Sequence, residues 1–128
     1  MVNLAKNSAG APLSLSEISE QENISPKYLE QITLPLTRAK LLSSTRGTHG
    51  GYALAKKPEE YTVKEILAAT ETTLAPVSCL ENARNACLRK TSCPTLPVWE
   101  GLAKVIDDYL SGIKLSDLVE RDVSAFPN

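Results

Sequence analysis

Two helix starts lie eleven residues apart in the stretch LSLSEISEQENISPKYLEQI, and no other feature constrains the fold as tightly. Ser14 followed by Glu17 has the spacing of a capping box, in which each side chain satisfies a free backbone N–H at the helix end. Leu15 and Ile18 supply the apolar stripe of that helix, and the helix runs out near Glu22 and Asn23. Asparagine is one of the few non-glycine residues that tolerate a left-handed backbone, so Asn23 suits the stop. Ser25 can cap a second helix at once, and Pro26 fits its first position, where no N–H is needed. Tyr28, Leu29, Ile32 and Leu36 form the apolar face of that helix. Pro35 is expected to kink it, or to end it and begin another. Two short helices joined by about three residues form a helix-turn-helix.

The next stretch, KLLSSTRGTHGGYALAKKP, reads as two short strands, LLSST and YALA, around the glycine-rich loop RGTHGG. A hairpin directly after a helix-turn-helix makes a winged helix. Thr62 and Glu65 repeat the capping-box spacing ahead of Val63, Ile66 and Leu67, which predicts another short helix. After a segment bounded by Pro76 and Pro94, PVWEGLAKVIDDYLSG reads as a long helix. Val98, Leu102, Val105, Ile106, Tyr109 and Leu110 fall on one face, and Gly112 is a natural stop. That face reads as core for this chain or as a dimer contact, and the dimer is favoured because little chain remains to cover it and symmetric dimers are the commonest oligomers. LSDLV gives a last helical turn, and SAFPN a frayed tail. The N-terminal stretch to Pro12 reads as short and turn-rich.

The fold class is therefore mainly α with a small β-hairpin wing. A winged helix-turn-helix domain is expected over 1–73, a cysteine-containing loop over 74–96, and a dimerisation helix with its tail over 97–128.

The chain has 128 residues and a net charge of −1, so its overall charge does not advertise a polyanionic partner. The distribution says more. Residues 27–57 carry six basic groups (Lys27, Arg38, Lys40, Arg46, Lys56 and Lys57) against the single acid Glu30. Residues 100–122 reverse this, with six acids and three bases. A basic segment inside a near-neutral chain marks either a localised nucleic-acid face or solvated surface lysines. No apolar run approaches the ~20 residues of a membrane span, and the N-terminus lacks the layout of a secretory signal. A cytoplasmic protein without membrane contact is expected. Thiols there stay mostly reduced, and clustered cysteines serve metal or redox chemistry more often than structural disulfides.

All three cysteines, Cys79, Cys87 and Cys93, lie in CLENARNACLRKTSCP, separated by seven and five residues. Their number is odd, so they cannot all pair with each other. The spacing matches no ferredoxin pattern, and ordinary reduced thiols remain the plain alternative. With one histidine, in a loop, and no nucleophile–base set or phosphate-binding motif, the chain does not read as an enzyme.

LSLSEISEQENISPKYLEQI, then PL, RGTHGGYAL, the three cysteines and CPTLPVWEGL closely resemble the IscR/NsrR/CymR-type bacterial winged-helix transcription regulators, over roughly residues 4–120. The resemblance implies a homodimer crossed through its long helix and bound to a palindromic double-stranded DNA operator. In several members an iron–sulfur cluster loop sits between the winged helix and the dimer helix. Cys79, Cys87 and Cys93 would then be ligands of a 2Fe-2S or 4Fe-4S cluster. The fourth ligand stays open between a carboxylate of a first helix, Glu81 and a small exogenous group. Three departures stand out. The family has further residues ahead of LA, so the first helix is expected to be truncated here. It usually has glycine where this chain has Lys40. The cluster-biogenesis regulator has a ligand histidine where this chain has Leu96. Zinc, with three cysteines and one more ligand, is a weaker alternative.

Ser25, Lys27, Tyr28 and Gln31 lie at the start of the second helix, the end that meets the major groove in helix-turn-helix proteins. Glu30 faces the same way. An acid toward DNA is costly unless it accepts a hydrogen bond such as that of the cytosine amino group, the role the resemblance implies. A helix-surface ion pair is the other reading of Glu30. The resemblance places Arg46 in the minor groove, against a solvated loop charge as the alternative. His49 reads as a wing-turn or DNA-backbone residue rather than a ligand. The expected function is a DNA-binding regulator, repressor or activator, whose affinity follows cluster state. The alternative is a cluster-free regulator of the same family controlled by thiol oxidation or a partner protein.

Overall fold

A computed structural model of the chain describes residues 1–7, 11–81 and 87–120. The expected C-terminal fraying and the middle of the cysteine loop lie outside the described residues. The elements are α1 (Val2–Asn7), α2 (Leu15–Glu22), α3 (Pro26–Arg38), β1 (Leu42–Thr45), β2 (Gly51–Leu54), α4 (Val63–Thr70), α5 (Leu96–Gly112) and α6 (Leu115–Glu120). Short 3-10 turns occupy Pro58–Glu60, Ser78–Leu80 and Lys90–Ser92.

The helix-turn-helix forms as its caps dictate. Ser14 Oγ accepts the Glu17 N–H at 3.2 Å, and the Glu17 carboxylate accepts the Ser14 N–H at 2.7 Å. Asn23 closes α2 in the left-handed region, at φ 53°. Ser25 caps α3 by accepting the Tyr28 N–H at 3.3 Å. The two helices bury Ile18, Leu29, Thr33 and Leu36 between them and the rest of the core. Pro35 neither ends α3 nor splits it, since the helix runs through to Arg38. An interior proline forfeits one intrahelical bond, and burial of Leu29 and Leu36 on either side outweighs that loss.

The end of α3 is a Schellman closure. The Leu41 N–H reaches the Leu36 carbonyl at 2.9 Å, and the Lys40 N–H reaches the Thr37 carbonyl at 3.0 Å. That closure needs one left-handed residue, and Lys40 supplies it at φ 59°. This backbone requirement is the physical reason a glycine is the easier residue there.

β1 and β2 pair antiparallel, with Leu42 opposite Leu54 and Thr45 opposite Gly51. Leu13 adds a third strand-like contact: it exchanges both backbone hydrogen bonds with Tyr52, at 2.9 and 2.8 Å. The approach is so close that a Cβ on Gly51 would stand 2.3 Å from the Leu13 carbonyl oxygen. The last glycine of RGTHGG is therefore fixed by the backbone of the segment entering α2.

Tyr61, 0% exposed, was not singled out by the sequence pattern. Its hydroxyl donates to the Leu41 carbonyl and accepts the Lys56 N–H, both at 2.8 Å. Its carbonyl accepts the Leu115 N–H at 3.1 Å, and the Val63 N–H reaches the Ile113 carbonyl at 2.9 Å. The chain after α5 thus returns to the winged-helix core, where Leu115 is fully buried.

Three expectations need correction. The N-terminal stretch is helical over Val2–Asn7, because Leu4 buries into the core and Asn3 Nδ2 donates to Gln21 and Glu22 on α2. At α4 only half of the expected capping box forms. Thr62 Oγ1 accepts the Glu65 N–H at 3.0 Å, while the Glu65 carboxylate turns to Lys56 Nζ at 2.8 Å. The apolar face of α5 splits into two stripes. Ile106 and Leu110, with Trp99 and Ala103, are half-buried, whereas Val98, Leu102, Val105 and Tyr109 are exposed.

Tyr61→Phe would leave a buried carbonyl and a backbone N–H without their partner, so it should destabilise the fold by about 2 kcal/mol in urea unfolding. Lys40→Gly relieves a left-handed lysine at the expense of a more flexible unfolded chain, and should raise stability by about 0.5–1 kcal/mol in the same assay. The Ser14 N–H and then its hydroxyl hold the Glu17 carboxyl below its ordinary value of 4.5. The unfolded chain therefore binds that proton first. The capping contribution is complete above the ordinary value and is lost as pH falls through the lower folded value. Ser14→Ala removes the hydroxyl's share and keeps the larger one of the backbone N–H, so it should flatten that part of the acid-unfolding profile only in part.

Candidate functional site

The solvent side of α3 is set by what its other side buries. With Leu29, Thr33 and Leu36 turned inward, Lys27, Glu30, Gln31, Leu34 and Arg38 face out. Tyr28 is 55% exposed at the first turn. The Ser25 hydroxyl oxygen is engaged in capping, which leaves its own O–H free to donate. Among the described residues no ion pair engages Glu30, so the helix-surface pair is not formed.

Arg46 and His49 both stand exposed on the wing loop. His49 lines a cleft of about 400 Å³ between the wing tip and the start of α2, with Pro12, Ser14, Glu17 and Thr48, and so lies apart from the cysteine segment. Of the six basic residues of the 27–57 segment, Lys56 is held internally. It bridges to Glu65 and lies 5.0 Å over the Tyr61 ring. Lys27, Arg38, Lys40, Arg46 and Lys57 remain exposed, and no ion pair engages them among the described residues.

The cysteines sit on the connection from α4 to α5. All three are free thiols, Cys79 and Cys93 half-buried and Cys87 exposed. Cys79 belongs to the Ser78–Leu80 turn, while Cys93 follows the Lys90–Ser92 turn and lies three residues before the first residue of α5. Cys93 Sγ lies 3.4 Å from Thr95 Oγ1. Hydrogen bonds from the Thr95 hydroxyl, then from the backbone N–H groups of Thr95 and Leu96, lower the Cys93 thiol below its usual range. Among the described residues, no three His, Cys, Asp or Glu side chains are gathered closely enough to hold a metal ion. The donors fit a soft, thiolate-liganded group in kind, but the chain does not hold them together in this arrangement. Leu96 opens α5 and Glu81 is exposed beside Cys79's turn.

The chain matches the profile of the Rrf2 family, described as iron-dependent transcriptional regulators, over residues 1–121. It belongs to the Rrf2 family. It is 36% identical over 127 residues to protein rrf2 of Nitratidesulfovibrio vulgaris, covering 99% of this chain and 83% of that one. Among solved structures, it is similar to CymR (YrzC), the global cysteine regulator of B. subtilis. The TM-score is 0.72 at 32% identity, over 94% of this chain and 87% of that one. It is likewise similar to T. potens IscR, with a TM-score of 0.73 at 31% identity, over 99% and 82% of the two chains. The resemblance carried by YLEQI, RGTHGGYAL and CPTLPVWEGL is borne out, and so is the winged-helix fold class. Among the described residues no helix is long and apolar enough to cross a membrane.

In this Rrf2-family chain α3 meets the end of α4 that leads into the cysteine segment. Tyr28, Gln31 and Ile32 of α3 line a groove of about 300 Å³ with Thr70 and Glu71, the end of α4 from which the cysteine segment departs. Sequence reasoning missed this junction because it depends on how α4 packs across α3. Leu34 was also missed, although its spacing of three from Gln31 puts it on the outward line.

Thr95→Val removes the leading hydrogen bond to Cys93, so the pH midpoint for alkylation of Cys93 in metal-free protein should move upward. An unchanged midpoint, read by mass spectrometry of the modified peptide, would contradict the assigned cause.

Proposed function

We propose that the chain is a homodimeric DNA-binding transcription regulator whose affinity for a palindromic operator is set by an iron–sulfur cluster held by Cys79, Cys87 and Cys93. The observation that carries this reading is the position of the three thiols. They lie on the one segment that links α4, packed against the DNA-reading helix, to the long helix α5.

In the major groove, Gln31 supplies an amide for a base edge, Glu30 accepts from a cytosine amino group, and Lys27 and the Ser25 hydroxyl hold phosphates. Tyr28 bears on the backbone beside them. Arg46 reaches the minor groove from the wing, and His49 lies on the phosphates next to it. The exposed stripe Val98, Leu102, Val105 and Tyr109 supplies the dimer contact, which fixes the spacing of two half-sites. A cluster on the cysteine segment would supply a site that oxygen, nitric oxide or iron shortage can reach. Drawing Cys79 toward Cys93 shortens the α4–α5 connection, and that moves the Thr70–Glu71 wall of the groove against Tyr28 and Gln31.

A second reading, control by thiol oxidation without a cluster, is favoured by one observation: the Cys93 thiol is biased toward thiolate.

Protein purified without oxygen should absorb in the visible and contain iron and acid-labile sulfide in similar amounts. Cys79→Ala, Cys87→Ala and Cys93→Ala should each bleach it. A colourless protein that resists reconstitution with iron and sulfide would sink the cluster reading and leave the thiol one. For the DNA half, Arg46→Ala should weaken binding to a duplex selected by the wild-type chain. Glu30→Ala should instead relax the preference at one base pair per half-site, by about 1–3 kcal/mol. Equal effects of both on every sequence would contradict the assigned roles.

A further inference from the structure

We infer that Leu34 reads a thymine methyl group in the major groove, next to the base pair addressed by Gln31. This inference rests on the DNA-reading role proposed for α3. Leu34 is 52% exposed, at the centre of a helix whose other leucines, Leu29 and Leu36, are buried. Lys27, Gln31, Leu34 and Arg38 follow one another at spacings of four, three and four residues, so they form one line along the outward face of α3.

The chemistry of that line is ordered. A cation stands at each end, an amide and an isobutyl group lie between, and among the described residues no ion pair draws either cation away. Lys27 and Arg38 are eleven residues apart, or about 16 Å of helix, enough to reach phosphates on both sides of a groove about 12 Å wide. Gln31 and Leu34 are then left over base edges. Their separation along the axis is about 4.5 Å, close to the 3.4 Å rise of one base-pair step, so they address neighbouring pairs.

Only one group in the major groove rewards an apolar side chain, the C5-methyl of thymine. The line is charged at its ends, which matches a polyanion and not an apolar protein surface. Leu34 is thus a specificity residue: it favours A·T or T·A pairs at one position and penalises cytosine there, whose C5 carries no methyl.

The test begins with the full-length chain, purified without oxygen, enriching duplexes from a random DNA pool. Each thymine of the selected site is then replaced in turn by deoxyuridine, which removes only the methyl, and affinity is read by fluorescence anisotropy. Wild-type protein should lose about fourfold at one symmetric pair of positions, the worth of one buried methyl group. Leu34→Ser should bind the thymine and deoxyuridine duplexes equally well, while keeping the preference assigned to Gln31. Because Leu34 is exposed, the variant should fold, and circular dichroism checks that it does. If no thymine distinguishes wild type from Leu34→Ser on a selected duplex, the role of Leu34 is overturned while DNA binding stands. If the chain enriches no duplex at all, the DNA-binding reading fails and the role of Leu34 falls with it.

Discussion

One buried side chain ties together the parts of this fold that are distant in sequence. The Tyr61 hydroxyl joins the Leu41 carbonyl, at the root of the wing, to the Lys56 N–H, where the wing ends. Its backbone carbonyl receives Leu115, after the long helix, and its neighbour Val63 bonds to Ile113. A buried carbonyl left alone costs more than a hydrogen bond returns, so these four attachments are mutually dependent. The wing, the start of α4 and the return from α5 therefore behave as one body. What stays outside that body is the cysteine segment, whose thiols are only half-buried or exposed.

This division explains how a change at the thiols can act on α3 at all. Both ends of α3 are locked, at Ser25 by a cap and at Lys40 by the Schellman closure, and Leu29 and Leu36 hold its middle. A helix so fixed does not melt to answer a signal; it can only be displaced or gripped as a unit. The groove shared by Tyr28, Gln31, Thr70 and Glu71 is where the proposed function puts that grip. The far end of the same connection is α5, which Lys64 joins to α4 through Asp107. The outer stripe of α5, with Val98 65% exposed, is left uncovered among the described residues, and the inner stripe with the Lys64–Asp107 pair carries its packing.

The local grammar of the fold was legible in the sequence, because caps, stops and hairpin glycines act within a few residues. Ser14 with Glu17, Asn23, Ser25 with Pro26, and RGTHGG each formed where their chemistry points. What could not be read depends on contacts across the chain. α1 is helical because Leu4 has a core to enter, and Glu65 leaves its cap because Lys56 lies nine residues back on a folded wing. The single face read on α5 became two for the same reason: periodicity reports which residues are apolar, not how many neighbours they meet. The candidate DNA residues were legible as exposed polar groups on one capped helix and on the wing loop. The junction that connects them to the cysteines was not, since its two walls are 39 residues apart, at Ile32 and Glu71.

A ligand shifts a two-state protein only by its differential affinity for the two states. Among the described residues the thiols are not gathered into a metal-holding group, so under the proposed function gathering them perturbs the connection between α4 and α5. That perturbation is the differential term. Cys93 is held at the start of α5 by Thr95 and Leu96, and Cys79 sits in the hydrogen-bonded Ser78–Leu80 turn. The anchoring of Cys93 therefore does two things at once. It biases the sulfur toward the thiolate that binds metals or reacts with oxidants, and it couples the fate of that sulfur to α5. Under the proposed function, cluster and oxidation would both act through this anchored sulfur, so the DNA-binding half of the molecule would be common to both.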